Sequence, residues 1–335
     1  MIGDRLLADR ARAIACLVLV AVLTLLPGPG QGNPLPDSAA RDVEIIPLHT
    51  GTAYRFKGLA VAPDGARFFL GSWDRKQIVA VRGAPSLLVE FDSPYRGRLN
   101  GMGVYLRGNT LYAVMNDIDD SGAAQAISAL VLFDIRSGMT IRSHELRGDG
   151  SGRHHFNHVI VDADGRAYIS NTLKSGIWTI DTRDPGARLE RLIVHPGLRM
   201  IHGIAFGADE RTLYVTSYED GLGIVDLDTL HYESLQQPDT RGNDGIAYHR
   251  GFIYAVGQNA LTRHRLDGDG RRVLDSIVLL RDHPQFNDPR CLQIVDDSLF
   301  ILANIEHAPV SFRQGGFRRR DWLTDTFVLR YPLGR

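Results

Sequence analysis

The sequence predicts an all-β fold, a six-bladed β-propeller with four-stranded antiparallel blades around a central channel. Three observations lead there. One phrase recurs six times at near-constant spacing, the strands inside it alternate at period two, and no segment after the N-terminal apolar run keeps a 3.6-residue apolar period. The phrase is a polar residue, a small apolar stretch, a turn with Asp or Gly, a second β-rich stretch and a polar end. It reads KGLAVAPDGARFFLGSW from Lys57, NGMGVYLRGNTLYAVMN from Asn100 and NHVIVDADGRAYISNT from Asn157. It continues as HGIAFGADERTLYVTSY from His202, DGIAYHRGFIYAVGQN from Asp244 and, more degenerate, RCLQIVDDSLFILAN from Arg290. The steps are 43, 57, 45, 42 and 46 residues. Four short strands and their turns need about 40–50 residues, the length of a propeller blade. Two stacked β-sandwiches are the alternative, but they do not require a polar-Gly opening at a fixed step.

Each element has a local cause. Tyr168, Ile169, Tyr214 and Val215 sit in β-branched and aromatic runs. Asp64-Gly65 and Asp164-Gly165 supply hairpin turns, and Asp267-Gly268-Asp269-Gly270 reads as another. The long 57-residue step holds extra Gly/Asp/Ser-rich loop at 116–126 and 147–155. The segment VEIIPL from Val43 is expected to close the ring against the last blade, which leaves few open strand edges.

The N-terminus reads as an address. Arg5, Arg10 and Arg12 precede a 14-residue apolar run, AIACLVLVAVLTLL, which Pro27-Gly28-Pro29-Gly30 ends. A bilayer span needs about 20 residues, so residues 1–32 are expected to be a signal peptide, with an uncleaved N-terminal anchor as the alternative. Residues 33–42 are then a flexible linker and 43–335 the propeller, in a protein exported to the periplasm or secreted. Cys16 lies inside the apolar run, so the mature chain would keep only Cys291 and form no internal disulfide.

Composition narrows the partners. The chain has 335 residues, 44% hydrophobic and 23% charged, with Lys+Arg 38 against Asp+Glu 39 and net charge −1. No global field draws it to nucleic acid or to an anionic membrane surface, and the expected partner is a small-molecule substrate or ligand. There is no G-x-S-x-G elbow, H-E-x-x-H, G-x-x-x-x-G-K or C-x-x-C, which disfavours α/β serine hydrolases, zincins, nucleotide enzymes and redox thiols. Asn116-Asp117-Ile118-Asp119-Asp120 lacks calcium-loop spacing and reads as a solvated turn, and Arg318-Arg319-Arg320 as a solvated loop.

In a propeller the residues that open the first strand of each blade meet at one mouth of the channel. Those positions are Lys57, Asn100, Asn157, His202, Asp244 and Arg290. Asn and Asp oxygens suit calcium, and a His nitrogen suits zinc or manganese. Each has a plainer competitor, since Asn and Asp before a strand also satisfy nearby backbone N–H groups. His154, His155 and His158 cluster at the third opening as candidate proton acceptors, against the competing picture of His154-His155 as a solvated loop pair.

These openings, above all NHVIVDADGR from Asn157 and DGIA from Asp244, resemble the six-bladed superfamily of gluconolactonases, regucalcin, paraoxonases and strictosidine synthase, over about residues 50–335. The resemblance to the gluconolactonase branch implies a divalent cation held by a Glu, two Asn and an Asp. Asn157 matches the first Asn and Asp244 the Asp, while His202 stands at the second Asn and Lys57 at the Glu. It therefore implies metal ligands Asn157, His202 and Asp244, with one calcium, zinc or manganese ion expected only if Lys57 tolerates it. Asp244, His202 and His155 are the expected catalytic residues, and Lys57, Asn100, His158 and Arg290 the expected substrate-binding ones. With a metal, the expected reaction is Lewis-acid hydrolysis of lactones or simple esters. Without one, Lys57 and His202 hold an anionic or carbonyl ligand, as befits the metal-free strictosidine synthase branch. The alternative is a non-catalytic propeller that binds a small ligand or a protein partner, its ancestral metal site degraded at Lys57.

Overall fold

The computed structural model describes residues 43–82, 87–118, 125–235, 240–305 and 325–334. All of them lie within one compact unit, Ser38–Arg335. The expected signal, its linker, residues 119–120 of the acidic turn with the loop that follows to 124, and Arg318-Arg319-Arg320 lie outside the described residues.

The described chain forms six antiparallel sheets of four strands each, a six-bladed β-propeller. The innermost strands are Phe56–Val61, Asn100–Arg107, Phe156–Val161, Ile201–Phe206, Gly245–His249 and Cys291–Val295. The second strands are Arg67–Ser72, Thr110–Asn116, Arg166–Asn171, Thr212–Ser217, Phe252–Gly257 and Ser298–Leu302. Helix among the described residues is limited to three-residue 3₁₀ turns. Ring closure follows the expectation for VEIIPL. Glu44–Pro47 pairs antiparallel with Phe327–Pro332 as the outer strand of the sixth blade, Glu44 opposite Arg330 and Pro47 opposite Phe327.

The core is divided among the six blade interfaces. Successive side chains of a strand point to opposite faces, so each blade feeds the layers on both of its sides. Phe69 and Phe91 pack with Phe133 between the first and second blades, while the neighbouring Phe68 packs with Phe300 between the first and sixth. Tyr214 turns toward the fifth blade, and Leu213 and Val215 turn toward the third. This arrangement needs near-continuous apolar runs in the second strands, as the sequence has.

The glycine after the opening residue has a steric reason. A Cβ on Gly58 would lie 2.1 Å from the Met102 carbonyl oxygen, one on Gly203 2.5 Å from that of Asp244, and one on Gly245 2.5 Å from that of Arg290. One on Gly103 would lie 2.5 Å from the Asn157 oxygen. Each of these glycines lets its inner strand abut the next one. The remaining joints use side chains: Ser170 Oγ donates to the His202 carbonyl at 2.6 Å, and Cys291 Sγ to the Lys57 carbonyl at 2.7 Å. The six openings therefore form a closed hub.

Candidate functional site

The site is the mouth of that hub. Four inner strands carry a β-bulge at this end, between Phe56 and Gly58, Gly101 and Val104, Phe156 and Val159, and Ile201 and Ile204. Bulges re-aim side chains. Lys57, Asn157, His158 and His202 all sit in these irregular steps.

At the centre is Asp244, 6% exposed. Its Oδ2 lies 3.0 Å from His202 Nδ1, close enough for an ion pair, although the ring nitrogen makes no aligned hydrogen bond among the described residues. The same oxygen accepts a hydrogen bond from Arg290 Nη1 at 2.9 Å. Burial works to raise the carboxyl pKa, but His202, Lys57 and Arg290 together overcome it and hold Asp244 well below the usual carboxylate range. The guanidinium of Arg290 is shared: its Nε donates to Asp288 Oδ2 at 2.9 Å, and its Nη2 lies 2.8 Å from that oxygen. Burial alone would ease the Arg290 proton off, yet the two carboxylates keep it firmly cationic.

Lys57 faces this cluster. Its Nζ lies 5.3 Å from the centre of the Trp73 ring. Burial lowers its pKa most; Asp244 opposes that and Arg290 adds to it, for a net fall. His155 lies beside it, its ring 6.4 Å from that of Trp73. Burial, with Lys57 and His202 nearby, takes His155 down to about 4. His158 is likewise held at about 4, chiefly by burial. Both imidazoles are thus neutral proton acceptors at neutral pH. Below the mouth His158 also lines a channel cavity of about 320 Å³, walled by Ile160, Ile204, Ile246 and Leu292.

The two asparagines occupy the wall. Asn157 Nδ2 donates to Thr172 Oγ1 at 3.2 Å, and that hydroxyl donates to the Ile201 carbonyl at 2.7 Å. Asn100 Nδ2 donates to the Trp73 carbonyl at 2.7 Å, while its buried Oδ1 has no partner among the described residues. His154 is not at the mouth. It packs edge-on to Trp178 at 5.4 Å with Nδ1 2.8 Å from Asn171 Nδ2. Asn116 braces the wall rather than a turn, as its amide spans the Phe156 backbone with Nδ2 donating at 2.7 Å and Oδ1 accepting at 2.8 Å. Asp267 to Gly270 is the hairpin turn expected, with Gly270 at φ +69°.

Three residues of the site were not singled out from the sequence. Trp73 and Tyr218 end the repeated phrase in the first and fourth copies, and the Tyr218 ring lies 5.4 Å from that of His202. Asp288 sits two residues before Arg290 at φ +62°. The signal for the first two was an aromatic where other copies end in Asn or Thr.

Among the described residues no three His, Cys, Asp or Glu side chains gather closely enough to hold a metal ion. The donor set also disagrees with one. Asp244 Oδ2 already carries the Arg290 guanidinium at 2.9 Å and lies 3.0 Å from His202, with the Lys57 amine near enough to act on its charge, so a divalent cation there would meet repulsive basic groups.

Solved structures share this architecture at low identity. A luciferin-regenerating enzyme matches 87% of this chain and 96% of its own with TM-score 0.60 and 10% identity. A putative gluconolactonase matches 87% and 92% with TM-score 0.53 and 15% identity. Regucalcin from Agrobacterium tumefaciens, described as a calcium-binding protein, matches 84% and 90% with TM-score 0.56 and 15% identity. These likenesses establish the propeller fold. No protein-family model matches the chain, and no curated protein does.

Proposed function

We propose that this protein is an exported hydrolase of lactones or simple esters that works at the propeller mouth without a metal ion. The observation that carries the reading is His202 Nδ1 at 3.0 Å from the buried Asp244 carboxylate. An ionised carboxylate at this distance from Nδ1 favours a proton on that nitrogen by its charge, which leaves Nε2 to take one from water. His202 Nε2 then removes a proton from water as it attacks the carbonyl carbon, and returns it to the leaving alkoxide oxygen. General base catalysis of this kind supplies about 10²–10⁴-fold. Lys57 Nζ donates to the carbonyl oxygen as negative charge develops, a contact worth about 3 kcal/mol when preorganised. Arg290, clamped by Asp288, holds Asp244 in place. Asn100 Oδ1 is the buried acceptor for a substrate hydroxyl, and Trp73 and Tyr218 flank the ligand.

Two fold neighbours support the direction, since one is named a putative gluconolactonase and another a luciferin-regenerating enzyme. The basic run and short apolar stretch of residues 1–32 support export.

The test is hydrolysis of a panel of γ- and δ-lactones and aryl esters by purified mature protein. Turnover above the buffer rate that His202→Gln removes supports the reading, and no turnover on any member overturns it. A second reading, a non-catalytic ligand-binding propeller, is favoured by one observation, the engagement of Asp244 by Arg290 as well as His202. Panel-wide inactivity with saturable binding of a substrate analogue would favour that reading.

A further inference from the structure

We propose that Lys57 is a carbonyl-capturing amine that forms a reversible imine with a small aldehyde or ketone at the channel mouth. Three independent observations point to an amine placed for its chemistry. First, its surroundings do not lock it. Lys57 Nζ stands over the Trp73 ring at 5.3 Å, and among the described residues no carboxylate or other acceptor takes its hydrogens within bonding distance. By contrast, Lys174 is tied to Asp149 at 3.0 Å.

Second, the chain uses lysine sparingly. It has three lysines, Lys57, Lys76 and Lys174, among its 38 basic residues. Arginine is thus its ordinary cation, and a guanidinium neither loses its proton nor condenses with a carbonyl. A lysine at the hub is the exception that an amine nucleophile requires. Third, the neighbours fit the reaction. An amine becomes nucleophilic when desolvated or set beside another cation; burial, with Arg290 adding to it, eases the Lys57 proton off more than Asp244 and Asp288 hold it on.

The step balances without a further reactant. The Lys57 nitrogen lone pair adds to the carbonyl carbon while the carbonyl oxygen takes a proton, giving a carbinolamine. The nitrogen's proton then passes through solvent to that hydroxyl, which leaves as water. Loss of water then forms the C=N bond, and hydrolysis reverses it.

The test is trapping of mature protein with propionaldehyde, and separately with acetone, in sodium cyanoborohydride at neutral pH, with each lysine read by peptide mass mapping. Lys57 is expected to be alkylated at least about tenfold faster than Lys76 and Lys174, as activated lysines are. The fast phase should disappear in Lys57→Arg and Lys57→Met, with the slow labelling of the other two unchanged. Labelling of Lys57 no faster than the other two in the unmutated protein overturns the proposal, with no dependence on how a variant folds. No ester is present, so this outcome is separate from the success or failure of the hydrolysis panel.

Discussion

His202 Nδ1 and Asp244 Oδ2 lie 3.0 Å apart across the joint between the fourth and fifth blades, and both side chains are nearly closed to solvent. The same joint is where Gly203 abuts the Asp244 carbonyl. The contact that builds the hub therefore also sets the distance between the His202 imidazole and the Asp244 carboxylate.

Removing the carboxylate takes from the half-buried Arg290 guanidinium one of its two carboxylate partners. Asp244→Ala is expected to lower unfolding free energy by about 3 kcal/mol, the usual cost of breaking a buried pair. Adding Arg290→Met should restore part of that loss. Urea unfolding of the two single variants and the double variant checks it, and strict additivity would count against the pairing.

Glycine at the hub is a packing requirement. Gly203→Ala and Gly245→Ala each drive a methyl into a neighbouring blade's carbonyl at 2.5 Å, and each should cost about 3 kcal/mol. Gly150→Ala, with nothing within 4 Å, is the control and should stay within about 0.5 kcal/mol. Thermal melts of the three variants are sufficient.

Acid should weaken the fold before the carboxylates titrate. Burial holds His155, His158 and His264 at about 4, below the ordinary imidazole value of 6.5. The unfolded chain takes up these protons as pH falls through 6.5, whereas the folded one resists until about 4. Stability is therefore full above 6.5 and declines across that window. Melting temperature measured from pH 7.5 to 4 should fall, and His155→Asn should make the fall shallower. A flat profile in the unmutated protein would show that these groups are not held neutral.

The propeller was legible because its geometry writes itself into each repeat. The close approach of inner strands demands a small residue after the opening polar one at Gly58, Gly203 and Gly245, and Gly101 is pressed instead against the Ser72 and Gln77 backbone of the first blade. The same regularity located Lys57, His202, Asp244 and Arg290 at one mouth. Side-chain direction was less legible. His154 and His155 are adjacent, and extended backbone sends one into the wall and the other toward Trp73. Asn100 and Asn157 look like their neighbours in the sequence, yet both spend their amide nitrogens on the wall. Asp288 was hidden because its role depends on a turn at positive φ that brings it round to the Arg290 guanidinium.

The most direct measurement is the kcat for lactone or aryl-ester hydrolysis in protein stripped with a chelator, compared between the unmutated chain and His202→Gln. Unchanged turnover in chelator, with kcat lowered about 10²–10⁴-fold in the variant, is the expected result. Turnover that vanishes on stripping and returns with calcium, zinc or manganese, or a variant as active as the unmutated protein, would contradict a mouth that works through its own His202–Asp244 pair.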